Sequence, residues 1–104
     1  MAKAQLDEVI HAPLRLQICA LLTPLTEGEF QVLRDELEIS DSVLSKHIKQ
    51  LEEAGYVRQR KGALNGRQRT WVSLTGKGRK AFAAHIEALR GLAMLAQTPA
   101  PSGD

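Results

Sequence analysis

The stretch SVLSKHIKQLEEAGYVRQRKGALNGRQRTW, residues 42–71, changes character half-way along. Its first half has helical periodicity. With Val43 at 0° and about 100° per residue, Leu44, Ile48, Leu51 and Ala54 fall between about 20° and 140°, the stripe of a core-facing helix. The opposite arc, about 200–300°, carries Ser42, Ser45, Lys46, Lys49 and Glu53. Ser40 is the expected N-cap and Asp41 complements the helix dipole in the first turn. Gly55 closes the helix. His47 falls near 40°, on the apolar side. Its position suits a packing residue, with a phosphate contact from the edge of the stripe as the alternative. After Gly55 the period shifts. YVRQRK and RQRTWVSL read as strands joined by GALNG, where Asn65-Gly66 tolerates the positive φ of a tight turn. Val72 and Leu74 alternate with Trp71 and Ser73, so one strand face should join the core, and Trp71 is expected to pack under the hairpin.

Upstream, Leu14, Ile18 and Leu21 recur at i, i+4, i+7 in PLRLQICALL, an amphipathic helix that Pro13 opens and Pro24 stops. Thr26 and Glu29 have the spacing of a capping box. Phe30, Leu33 and Leu37 then form a second apolar stripe. A short link, EIS, leads to the third helix. Downstream, Thr75 is expected to cap a final helix reaching about Ala96. The fold class read from this pattern is mainly α with a small β-hairpin. The order is helix, helix, helix, hairpin, helix, preceded by an apolar segment around Leu6, Val9 and Ile10. Residues 1–96 read as one domain and residues 97–104, rich in proline and small residues, as a flexible tail.

The net charge of +2 conceals a polarised chain. Residues 1–40 carry three cations and seven anions, residues 41–80 carry ten cations and three anions, and residues 81–104 carry one cation and two anions. The middle block is thus +7 between segments of −4 and −1. Arg58, Arg60, Lys61, Arg67 and Arg69 crowd the hairpin, and no acid lies between Glu53 and Glu87 in the sequence. Such a block is an electrostatic footprint for a polyanion. The single cysteine, Cys19, excludes an internal disulfide framework and fits a reducing compartment. It reads as a small buried hydrophobe, with redox sensing as the alternative. No apolar run approaches a membrane span, and the acidic N-terminus does not resemble a signal peptide, so a cytoplasmic protein is expected.

A helix, a short link and a second helix form a helix-turn-helix layout. The polar arc of the third helix suits the major groove: short serines let the backbone approach, and lysines reach phosphates or guanine. A basic β-ribbon beside it can follow the phosphate backbone or enter the minor groove. The competing reading is a protein-interaction module without DNA binding, which has no need of an acid-free basic hairpin.

LRLQICALL, FQVLRDELEISDSVLSKHIKQLEEAGYV and RQRTWVSLTGKGRKAF together resemble winged-helix DNA-binding transcriptional regulators of the MarR/ArsR type. The resemblance covers about residues 5–92. It implies a winged helix-turn-helix: a three-helix core, a β-wing and a homodimer. It also implies a recognition helix at 41–54 with Ser42, Ser45, Lys46 and Lys49 facing DNA, and wing contacts from Lys61, Asn65, Arg67 and Arg69. Gln68 stands where relatives often carry proline, a departure that bears on wing stiffness. No paired-cysteine metal box is present, so metal sensing is not implied.

No catalytic set is recognisable. His11, His47 and His85 lie on separate elements without ligand spacing, and TGKGRK lacks the spacing of a phosphate-binding loop. No enzyme activity, cofactor or metal is therefore expected. The expected partners are double-stranded DNA and a second copy of the chain, with an effector of unknown chemistry left open. The last helix, 22 residues from Thr75 to Ala96, would be about 33 Å long, more than a small core needs to cover. Its stripes, Phe82/Ile86/Leu89/Ala93 and Ala81/Ala84/Ala88/Leu92/Leu95, cannot both pack on the body. Leu6, Val9, Ile10, Ile86, Leu89, Leu92 and Leu95 are accordingly the expected dimer interface.

Overall fold

A computed structural model describes residues 5–97 and 99. Apart from Gln97 and Pro99, the expected tail lies outside the described residues. The elements are α1 (Glu8–His11), α2 (Pro13–Leu22), β1 (Gly28–Glu29), α3 (Phe30–Leu37), α4 (Asp41–Glu53), β2 (Val57–Leu64), β3 (Arg67–Leu74) and α5 (Gly76–Ala96). The three strands form one antiparallel sheet in the order β1-β3-β2.

Local chemistry accounts for most boundaries. Asp7 caps α1, its Oδ1 accepting the Val9 and Ile10 N–H groups at 2.9 and 3.1 Å. Pro13 opens α2. Ser40 caps α4 as expected, its Oγ accepting the Val43 N–H at 3.2 Å. Asn65 and Gly66 both take positive φ at the hairpin tip, 52° and 77°. The capping box expected of Thr26 and Glu29 does not form. Glu29 itself occupies the N-cap position of α3 without a side-chain cap bond. Its backbone is drawn into the sheet instead, with Gly28 opposite Val72 and Glu29 opposite Trp71.

The core gathers Ile10, Ile18, Cys19, Leu22, Leu33, Leu44, Ile48, Leu51, Val57, Val72 and Leu74. Every element except α5 supplies a buried apolar side chain or, in β1, the buried Gly28. Each fully buried Leu or Ile contributes about 1.5–3 kcal/mol relative to exposure, which is what holds so small a domain together. Burial pushes the Cys19 thiol up to about 11, with the nearby Asp7 carboxylate adding to the effect. The sulfur is a packing atom held in its neutral form.

α5 joins the body at a tight junction. The Thr75 N–H donates to the Tyr56 carbonyl at 3.0 Å, and the Thr75 hydroxyl to the Gly55 carbonyl at 2.6 Å. The same hydroxyl oxygen caps α5 by accepting the Gly78 N–H. Gly78 is there because nothing larger fits: a Cβ would lie 2.0 Å from the Tyr56 carbonyl oxygen.

A second polar assembly ties α1 to α5. The Tyr56 hydroxyl donates to Asp7 Oδ2, and the Asp7 N–H donates to His85 Nδ1 at 3.0 Å. That bond leaves the His85 ring proton on Nε2, which lies 3.3 Å from His11 Nδ1. Two histidines 74 residues apart thus meet, contrary to the separation expected from the sequence. Among the described residues no three His, Cys, Asp or Glu side chains are grouped to hold a metal ion. Burial, and then the neighbouring His11, hold His85 below the usual histidine range despite the Asp7 carboxylate. Burial alone would raise the Asp7 carboxyl, but the hydrogen bonds from Tyr56, Ile10 and Val9 outweigh it and lower it.

Two expectations follow. Alanine normally stabilises a helix over glycine by about 1 kcal/mol. Gly78→Ala should instead destabilise the protein by about 1–3 kcal/mol, the cost of forcing a group into a filled site; chemical denaturation measures the sign. Because His85 protonates less readily folded than unfolded, its contribution is intact above the unfolded value of about 6.5. It is lost as pH falls from there through the lower folded value. The melting temperature should therefore drop between pH 7 and pH 5, and the pH slope should flatten in His85→Gln; a slope unchanged by the substitution would reject this assignment.

Candidate nucleic-acid interface

The buried stripe of α4, Leu44, Ile48 and Leu51, fixes its rotation against the body. Ser42, Ser45, Lys46 and Lys49 are consequently all exposed along the opposite side. Among the described residues no carboxylate forms an ion pair with Lys46 or Lys49. The N-terminal end is steadied from α3: Arg34 Nη1 donates to Asp41 Oδ1 at 2.8 Å. The inner edge is held by Arg15 of α2. Its Nε donates to the Val9 carbonyl, and its Nη1 donates to Gln50 Oε1 and approaches His47 Nδ1 at 3.1 Å. His47 is half-buried, as its place on the apolar side implied. Burial, then the charges of Arg15 and Lys46, hold it below the usual histidine range. The permanently charged Arg15 can only donate to Nδ1, so His47 serves as a neutral acceptor facing inward.

The wing is the β2–β3 hairpin. Its register places Lys61 opposite Thr70, Gly62 opposite Arg69 and Leu64 opposite Arg67. Side chains alternate between the two faces of a strand. Lys61 therefore shares a face with Val57, Val72 and Leu74, the residues that enter the core. Arg58, Arg60, Arg67, Arg69 and Trp71 occupy the other. Of the residues expected to contact DNA from the wing, Lys61 thus stands on one face, Arg67 and Arg69 on the other, and Asn65 at the tip.

The absence of acids near these cations in the sequence does not survive folding. Glu27 and Glu29, from the segment between α2 and α3, come alongside the wing. Glu27 pairs with Arg60 at 2.6 Å, and Glu29 pairs with Arg69 at 2.6 Å. The hydrogen bond from Arg60 holds the Glu27 carboxyl below its ordinary range. Arg60 also lies 4.2 Å over the Trp71 ring, so Trp71 supports the wing as a platform for its own arginine. Arg69 Nη1 donates to Gln31 at 3.0 Å as well. Arg58, Lys61 and Arg67 form no ion pair among the described residues.

The expected dimer residues divide. Ile10 is wholly buried in the core of its own chain, because the Asp7-capped turn of α1 points it inward, so it offers no exposed surface there. Leu6, Val9, Ile86 and Leu89 are half-buried. Leu92 and Leu95 are 40% and 69% exposed, on the part of α5 that runs beyond the body.

A family model described as a winged helix DNA-binding domain matches residues 14–93. The chain belongs to the winged helix DNA-binding domain family. An uncharacterized protein of Methanocaldococcus jannaschii is 38% identical over 79 residues, which cover 76% of this chain and 86% of the relative. The structure of a transcriptional regulator homologue from Pyrococcus horikoshii superposes with a TM-score of 0.82 at 25% identity, covering 88% of this chain and 91% of that one. A MarR-family regulator structure from Enterococcus faecalis shares the fold, with a TM-score of 0.75 at 20% identity over 86% and 81% of the two chains. The chain shares the winged-helix fold of these regulators. Its helix-turn-helix is α3 and α4, and its wing is β2 and β3. No helix among the described residues is long and apolar enough to cross a membrane.

Proposed function

We propose that the protein acts as a homodimer that reads a specific duplex sequence with α4 and grips the backbone with the wing. The observation that carries this reading is the outer side of α4. Ser42, Ser45, Lys46 and Lys49 are exposed together on a helix anchored from behind by Arg15 and at its start by Arg34. A helix fixed in rotation can present the same donors to base edges each time it enters the major groove. On this reading, Ser45 and Lys49 discriminate bases, while Ser42 and Lys46 share phosphate and base contacts. Lys61, Asn65 and Arg67 supply the wing's phosphate contacts.

Support for dimerisation comes from α5. Leu92 and Leu95 face solvent in the single chain, beside half-buried Ile86 and Leu89. Covering those side chains with a second copy removes them from water, and a two-fold assembly brings two recognition helices to one side of the duplex. The operator is then near-palindromic, with half-sites about 10–10.5 base pairs apart.

Binding to a duplex selected from a random-sequence pool should weaken steeply with salt, because phosphate contacts release counterions. Lys49→Ala and Ser45→Ala should cut the preference for that duplex over random DNA, at about 1–3 kcal/mol per good base contact. Arg67→Ala should weaken both DNAs by similar factors. Equal loss on both DNAs in the α4 variants would reject base reading by this helix. For the dimer, Leu92→Glu should lower the mass measured by light scattering and weaken operator binding together. A wild-type monomer at tens of micromolar that still binds a single half-site tightly would reject it.

A further inference from the structure

Arg69 was expected to touch DNA, yet its surroundings describe a different task. Its side chain is 24% exposed, and so is that of its partner Glu29. Nη1 is shared between Glu29 Oε1 at 2.6 Å and Gln31 Oε1 at 3.0 Å. Nε is enclosed without a partner, and both of these hydrogen bonds run from Nη1. The two acceptors belong to β1 and the first turn of α3, while the donor belongs to the wing strand β3. The contact therefore bridges the wing to the helix-turn-helix unit itself.

The backbone link beneath this contact is short. β1 has two residues, and its pairing with β3 is limited to Gly28 with Val72 and Glu29 with Trp71. Two pairs leave a β-ribbon free to swing about its base, since isolated short pairings are marginal in water. A partly buried, charge-assisted clasp next to that pairing restrains the swing. Glu27 adds a second, more exposed hold on Arg60, on the same wing face.

We infer that Glu29 is a positioning residue of the DNA-binding surface: it clasps Arg69 and so sets the angle at which the wing approaches the duplex. Arg69 acts through Glu29 and Gln31 rather than on phosphate. The inference rests on the DNA-binding reading above, and it makes a prediction opposite in sign to simple electrostatics. Removing an acid beside a DNA-binding surface relieves repulsion and frees Arg69, which by charge alone tightens binding. If the clasp sets the wing, removing the acid loosens binding instead.

The test uses the full chain, a duplex selected from a random pool by the wild-type protein, and Glu29→Gln. It adds a charge-reversed pair, Glu29→Arg with Arg69→Glu, which keeps the local net charge. Amide hydrogen exchange at residues 28 and 29 is followed in the DNA-free protein. The expected result is binding weakened about three- to fivefold by Glu29→Gln, the scale of one surface-proximal salt bridge. Faster exchange at residues 28 and 29 should accompany it, and the charge-reversed pair should bring both values back toward wild type. Tighter or unchanged binding by Glu29→Gln overturns the inference, as does a charge-reversed pair that binds no better than Arg69→Glu alone, the outcome of a direct Arg69–phosphate contact. If the wild-type protein selects no duplex, the DNA reading fails by itself. The exchange arm then decides the clasp: unchanged exchange in Glu29→Gln overturns it, and accelerated exchange supports it.

Discussion

Tyr56 is the residue on which four elements converge. It follows the end of α4 and precedes β2. Its carbonyl accepts the N–H of Thr75, where α5 begins, and its hydroxyl donates to Asp7, the cap of α1. The contact with α5 is so close that only a glycine, Gly78, can lie against the carbonyl. Asp7 raises the Tyr56 phenol to about 12, with burial adding to the shift, so the hydroxyl remains a donor at any working pH. The consequence is geometric. The exit of α4, the root of the wing, the start of α5 and the N-terminal turn are referred to one point. A shift at any of them is felt by α4.

Around that point the charges are sorted by role. Arg15, Arg34, Arg60 and Arg69 are all engaged with protein acceptors that anchor α4 or the wing. Lys46, Lys49, Lys61, Arg58 and Arg67 form no ion pair among the described residues. The anchoring cations are all arginines, whose planar, multidentate guanidinium holds several acceptors in fixed directions. Three of the five others are lysines, point charges on mobile stems that adapt to a phosphate without prescribing an angle. The basic middle of the chain is therefore partly scaffold and partly surface.

The N-terminal turn shows how a small domain supplements a limited core. α1 is one turn long and could not persist alone, since helix nucleation is costly and short helices are marginal in water. It is held by the Asp7 cap, by Arg15 on the Val9 carbonyl, by the Asp7 N–H on His85 and by Ile10 in the core. His85 is 1% exposed, and the turn is what closes that side of α5.

The sequence by itself determined whatever depends on a residue's near neighbours. Periodicity defined α2, α4 and α5. Ser40 and Thr75 marked helix starts, and Asn65-Gly66 marked the hairpin. The exposure of Ser42, Ser45, Lys46 and Lys49 followed from the position of the buried stripe on the same helix, because one helical period relates them all. Tertiary structure alone decided the contacts made between distant segments. β1 is too short to carry an alternating pattern, and its partner Trp71 lies far along the chain, so Glu29 read as a capping residue and the wing as free of acids. The inward turn of Ile10 and the meeting of His11 with His85 belong to the same class. Each is a pairing set by where two elements dock, and docking is fixed by packing of the whole core rather than by any local pattern.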